Sequence, residues 1–160
     1  KYQIKKLDQT ISVINKIKKL GLTLSLAESC TGGKVASTIV SHEGVSEFLL
    51  GGVVTYSIDS KISILNIDKN KIEKYGVVSD EIAKDMATAV KELFQSDISV
   101  AVTGNVGLTS GDGISSKGQV FIAVNLKNKN NVWEFNFNND RKTNINSVVS
   151  KVLSLLNNIL

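Results

Sequence analysis

Proline is absent from the 160 residues, and cysteine, histidine, methionine and tryptophan occur once each. The missing proline reads as compositional bias, in company with abundant Lys, Asn and Ile. One cysteine, Cys30, excludes a disulfide within the chain. One histidine, His42, stands beside Glu43 in a polar stretch, and no His/Cys cluster has metal-ligand spacing. That argues against a transition-metal centre and leaves only carboxylate-bound magnesium open. No apolar run reaches the roughly 18–20 residues needed to span a bilayer. Lys1 to Lys6 is basic, but a polar amphipathic stretch follows it instead of the apolar stretch of a signal peptide. The expected location is therefore the cytoplasm, with no membrane partner.

What is present fits one domain over residues 1–160. Hydrophobic residues make up 42% and charged residues 21%, enough to bury a core without disulfides or metals. The net charge of +4 raises the question of nucleic acid. The lysines are spread along the chain, however, and the densest groups, Lys5-Lys6 and Lys16-Lys18-Lys19, fall on an expected helix. They read as a solvated face and not as a nucleic-acid patch.

Periodicity orders the elements. A first helix is capped by Asp8 or Thr10, carries Leu7, Ile11, Ile14 and Ile17 at helical spacing, and stops at Gly21. Leu22 to Leu26 reads as a strand, Glu28 to Gly33 as a turn, and Lys34 to Val40 as a helix. Phe48 to Tyr56 reads as a buried strand with a bulge or close backbone approach at Gly51-Gly52. Short helices follow over 59–65 and 69–75. Ser79 caps a stronger helix whose inner stripe is Ile82, Met86, Ala89, Val90 and Leu93. Ile98 to Val102 and Val120 to Val124 have the continuous apolar character of doubly covered strands. Val132 to Phe137 alternates like an edge strand. A last helix carries Ile145, Val148, Val149, Val152, Leu155, Leu156 and Ile159. The expected fold is an α/β domain with three layers, α/β/α, around a mixed sheet.

Three segments hold residues suited to chemistry. Ala27-Glu28-Ser29-Cys30-Thr31-Gly32-Gly33 joins a strand to a helix, where free N–H groups and the dipole favour negative charge. Its hydroxyl is either an ordinary cap or a nucleophile beside an oxyanion site. A Walker-type phosphate loop is excluded, because Val35 replaces its Ser/Thr and Glu28 its first glycine. The second segment, 51–61, places Tyr56 and Lys61 just past a strand. Serine needs a base, no suitable histidine exists, and a lysine whose pKa is lowered by burial fills that role. Taken alone, Lys61 also fits a surface lysine. The third segment, Val102-Thr103-Gly104-Asn105-Val106-Gly107, enters a Gly/Ser-rich loop that ends at Gly118, either a ligand loop or a flexible connection.

AESCTGG at 27–33, FLLGGVVTYSIDSK at 48–61, YGVVSDEIAKDMA at 75–87 and VAVTGNVG at 100–107 together resemble the CinA C-terminal domain family. Its stand-alone members include nicotinamide mononucleotide deamidase, the form this chain resembles. The resemblance implies a Ser-Lys amidase with no metal or other cofactor. Ser29 matches the nucleophile, Lys61 the general base and Tyr56 the assisting tyrosine. Ser46, Thr103 and Arg141 match pocket positions, with Gly104 beside Thr103. The amides around Thr31, Gly32 and Gly33 are expected to hold the oxyanion or the phosphate. Cys30 is a rival nucleophile, since a helix N-terminus lowers thiol pKa. The implied partners are a small pyridine nucleotide and further copies of the chain. The sequence departs from the family at Val106 and Leu108, usually Ala and Pro, at Ser115-Ser116-Lys117, and at Ile145-Asn146, where a second arginine is usual. Two other readings stay open: a pyridine-nucleotide-binding module without turnover, and an accessory protein of competence or DNA damage.

Overall fold

The computed structural model describes residues 2–160, and the side chains of residues 2, 3 and 5–8 lie outside that description. The Lys5-Lys6 pair, the stripe position Leu7 and the side chain of Asp8 therefore fall outside it. Helix α1 spans Tyr2–Leu20, so it begins before both expected caps, and Asp8 and Thr10 are interior positions. Ile11, expected on the inner stripe, is 42% exposed, whereas Val13, Ile14 and Ile17 are buried.

Strands β1 (Leu24–Glu28), β2 (Leu49–Val54) and β3 (Ile98–Gly104) run parallel, and β4 (Gln119–Leu126) and β5 (Lys129–Asn136) are antiparallel additions. The order is β2-β1-β3-β4-β5, a mixed five-stranded sheet. Helices α1, α2 (Lys34–Val40) and α6 (Arg141–Ile159) cover one face. Helices α3 (Ile58–Leu65), α4 (Lys69–Tyr75) and α5 (Asp80–Phe94) cover the other. This is the three-layer α/β/α arrangement expected from the interleaved pattern.

The two faces differ chemically because strand side chains alternate. Leu24, Leu26, Ile98, Val100, Val102, Val120, Ile122 and Val124 point into the larger core under α1 and α6. The α5 face is built from small residues, including Ser25, Ala27, Ser99, Ala101 and Ala123. Small side chains let α5 approach closely, and buried serines then meet its backbone. Ser25 Oγ donates to Val90 O at 3.3 Å and Ser99 Oγ to Ala87 O at 2.6 Å. Ser79 caps α5 as expected, accepting from Ile82 N. Leu93, expected on its inner stripe, is 53% exposed.

Two strands differ from expectation in ways that matter for the site. The segment expected as a buried strand over 48–56 is an edge strand, β2, alternately half-buried and exposed, because only β1 pairs with it. Its register slips between Leu24 and Ser25 of β1, one residue before the glycine pair. The close approach there is real: a Cβ on Gly52 would stand 2.9 Å from Leu26 O, and one on Gly51 would stand 2.6 Å from the Phe94 ring. Strand β1 lies two residues later than expected, so Glu28 ends it and Ser29 is the first residue past the sheet. No helix among the described residues is long and apolar enough to cross a membrane.

Candidate active site

The chain leaves β1 toward β2 on one side and later enters β3 on the other. The carboxyl ends of β1 and β3 thus lie at a topological switch point, where open α/β sheets form their crevices. Ser29 sits there, with its N–H donating to Val102 O of β3 at 3.1 Å, and it is 7% exposed.

Lys61 reaches the same point from α3. Ser57 starts that helix with a capping box, its Oγ accepting from Ser60 N while Ser60 Oγ accepts from Ser57 N. This fixed first turn points Lys61 inward, where it is 1% exposed. Its Nζ lies 2.9 Å from Ser29 Oγ, 2.6 Å from Thr55 O and 3.3 Å from Tyr56 O. An ammonium donates to all three. A neutral amine has two N–H groups and one lone pair, so with the two carbonyls taking the N–H groups, the lone pair is left for the Ser29 hydroxyl to donate to. Burial pushes the Lys61 pKa down from 10.5 to about 8, with the neighbouring Cys30 opposing. The reading of Lys61 as a surface lysine is therefore excluded.

Tyr56 follows β2, and its contact with Lys61 runs through its main-chain carbonyl. Its phenol accepts a hydrogen bond from Arg141 Nη2 at 2.9 Å instead. Arg141 is the first residue of α6, which Asp140 caps by accepting from Thr143 N. A cavity of about 380 Å³ is lined by Ser29, Lys61, Tyr56, Thr103, Gly104 and Arg141, with Asn105, Thr109 and Asp112 of the Gly/Ser-rich loop. Six of the expected residues are thus brought together.

Four are not. Thr31, Gly32 and Gly33 line a neighbouring cavity of about 580 Å³ between α2 and α6, joined to the first through Arg141. In this turn the chain also carries an anion of its own, Glu28. That buried carboxylate accepts from Thr31 Oγ1 at 2.6 Å, Val35 N at 2.9 Å and Ala36 N at 3.0 Å. Gly32 N and Lys34 N are also spent, on Ser29 O and Thr31 O. The fold has supplied its own anion where a ligand anion was expected. Ser46 lies in a third cavity with Val40, His42 and Leu49, because the short 3-10 turn Val45–Glu47 sits at the opposite, amino-terminal end of β2. The Thr103 hydroxyl donates to Val77 O at 2.8 Å.

Cys30 is 5% exposed, and burial pushes its thiol up from 9.0 to about 12, although Lys61 pulls the other way. At neutral pH it stays a thiol, the less nucleophilic form. Cys30→Ala should retain catalysis within a few-fold, measured as turnover beside the unmodified chain; a loss comparable to removal of Ser29 would restore Cys30 as nucleophile. Among the described residues, no group of three or more His, Cys, Asp or Glu forms a candidate metal site.

The pattern reading missed Glu28 and the Thr55 carbonyl. Glu28 had a legible signal, an acidic residue opening the turn that leads into a helix N-terminus, where the dipole favours negative charge. A main-chain carbonyl has none.

A family model described as the CinA C-terminal domain matches residues 6–160. A CinA-like protein of Flavobacterium psychrophilum is 38% identical over 151 residues, which make up 93% of this chain and 36% of that protein. A CinA-like protein of Fervidobacterium nodosum is 44% identical over 124 residues, 78% of this chain and 30% of that one. The chain spans about a third of the length of these relatives. The crystal structure of a competence-damaged protein (CinA) superfamily protein from Escherichia coli superposes with a TM-score of 0.92 at 32% identity, covering 95% of this chain and 88% of that one. Competence damage-inducible protein A from Klebsiella pneumoniae gives 0.92 at 27% identity, covering 96% and 95%.

Proposed function

The chain belongs to the CinA C-terminal domain family, and from the geometry at Ser29 we propose that it is a cytoplasmic amidohydrolase converting nicotinamide mononucleotide to nicotinic acid mononucleotide and ammonia. The observation that carries this reading is the buried Lys61 amine 2.9 Å from Ser29 Oγ. A serine paired with a lysine of lowered pKa, with no histidine in the cavity, suits covalent acyl transfer. Ser29 Oγ attacks the carboxamide carbon while its proton passes to neutral Lys61. The resulting ammonium returns the proton to the leaving nitrogen, and ammonia departs. Water, deprotonated by the same amine, then hydrolyses the acyl-enzyme to the acid. Tyr56 acts by orienting Lys61 through its carbonyl and by holding Arg141 at the cavity's mouth, where a guanidinium suits the nucleotide phosphate. A homo-oligomer is part of the same proposal.

The test is release of ammonia and nicotinic acid mononucleotide from nicotinamide mononucleotide. Folded protein that binds the nucleotide without turnover would replace this reading with the binding-module reading. The Lys61 pKa sets a second expectation. Because the base works only when neutral, kcat/KM should rise tenfold per pH unit below about 8 and level off above it. At pH 7 about one-tenth of the plateau is expected, since only that share of the lysine is neutral. A profile flat from pH 6 to 9 would remove Lys61 as the base.

A further inference from the structure

The Gly/Ser-rich loop that departs most from the family pattern is held by one carboxylate, Asp112. Its Oδ1 accepts from Ser110 Oγ at 2.7 Å, Ile114 N at 3.0 Å, Ser115 N at 2.9 Å and Ser115 Oγ at 2.7 Å. Asn105 pins the same loop, donating to Ser115 Oγ and to Ser116 O and accepting from Gly111 N. Burial works against the Asp112 charge, but the two serine hydroxyls and two amides outweigh it and hold the carboxyl well below the usual carboxylate range. All four donors converge on Oδ1. Oδ2 is buried with no hydrogen-bond partner among the described residues, beside the Gly76 turn, 4.0 Å from where a Gly76 Cβ would stand. Val77 and Val78 of that turn and Asp112 itself line the cavity that holds Ser29 and Lys61.

The four donors keep Asp112 ionised, so the cavity wall carries a negative charge that favours a cationic over a neutral ligand. The two cations of the cavity are occupied elsewhere, Lys61 on Ser29 and the main-chain carbonyls of 55 and 56, and Arg141 on the Tyr56 phenol. We propose that Asp112 is a specificity-determining residue that selects a cationic, quaternary pyridinium amide over a neutral aromatic amide, through the negative charge it places in the cavity wall. This rests on the amide-binding reading of the cavity and names the charge state of the ligand. A positive ring beside Asp112 balances the carboxylate. The same ring's charge disfavours the ammonium form of Lys61, so the base is neutral when the right ligand is seated.

The test compares equilibrium binding of three probes by calorimetry: 1-methylnicotinamide, a cation without sugar or phosphate; nicotinamide, its neutral counterpart; and nicotinamide riboside, a cation with a sugar. Unmodified protein should bind 1-methylnicotinamide more tightly than nicotinamide; the reverse order overturns the proposal without any variant. Asp112→Asn keeps the Oδ1 acceptor that anchors the loop and removes the charge. It should weaken both cations about tenfold, the scale of one charge pair in a partly solvated cavity, and leave nicotinamide within about twofold. Equal weakening of all three would reduce Asp112 to a loop anchor. A loss confined to the riboside would assign Asp112 to a sugar hydroxyl. Either result overturns the charge selection. Cation preference that is lost in Asp112→Asn, in a protein releasing no ammonia, would sink only the amidase reading and keep this one.

Discussion

Ser29→Ala should lower kcat for ammonia release by roughly four orders of magnitude or more, the scale on which a catalytic nucleophile is lost, while leaving nucleotide binding and the fold in place. The hydroxyl makes one contact of consequence, with Lys61 Nζ, so its removal deletes a reacting atom and little packing. Lys61→Met should match that loss. The double variant should be no slower than either single one, because a nucleophile and its base act as one unit. Additive losses would mean that the two do not share a step. Methionine keeps the apolar stem of the side chain, which separates chemistry from folding. Holding an ammonium where its pKa falls from 10.5 to about 8 costs about 3 kcal/mol at neutral pH. Methionine relieves that cost and forfeits the bonds to Thr55 O and Tyr56 O, worth about 1–3 kcal/mol. The variant should therefore unfold within a few degrees of the unmodified chain. The sign of the linkage gives a further check. A base whose folded pKa is depressed binds fewer protons folded than unfolded between pH 8 and 10.5, so the unmodified chain should gain stability across that window. Lys61→Met should lack the gain.

The layers and element order were legible because apolar periodicity carries them. Val120 to Val124 and Ile98 to Val102 read as doubly covered, and they lie at the centre of the sheet. Phe48 to Tyr56 misled because an apolar run with β-branched residues looks the same at an edge as at the centre, and only the pairing order decides. At the site, Ser29 and Lys61 were nameable, but their meeting depends on the two-residue placement of β1 and on the capping box at Ser57, which no spacing rule supplies. The turn at 31–33 differs from expectation at Gly32 N, which Ser29 O engages, and at the start of α2 for an electrostatic reason. Helix N-termini attract anions in general, and here Glu28 is that anion, reaching forward seven and eight residues. Ser46 failed for a topological one, since both ends of β2 carry polar residues but only the carboxyl end faces the switch point.

Glu28→Ala should cost about 4 kcal/mol of stability, read as a lower urea midpoint at unchanged slope. Three donors lose their acceptor at once: the Thr31 hydroxyl, the Val35 amide and the Ala36 amide. Glu28 is 2% exposed, so water replaces it poorly, and each orphaned donor carries a penalty of about 1–3 kcal/mol. Glu28→Gln keeps one acceptor oxygen but turns an N–H₂ toward an amide that needs an acceptor, so it should cost about half as much. The consequence extends beyond stability. Glu28 ties the last residue of β1 to the first turn of α2, and Ser29 lies between those two anchors. Catalysis in the folded fraction should fall as well, because the Ser29 Oγ to Lys61 distance is set by that turn. A Glu28→Ala protein with an unchanged midpoint would show that water caps α2 adequately. In that case the amides at 35 and 36 would also be open to a ligand's negative charge.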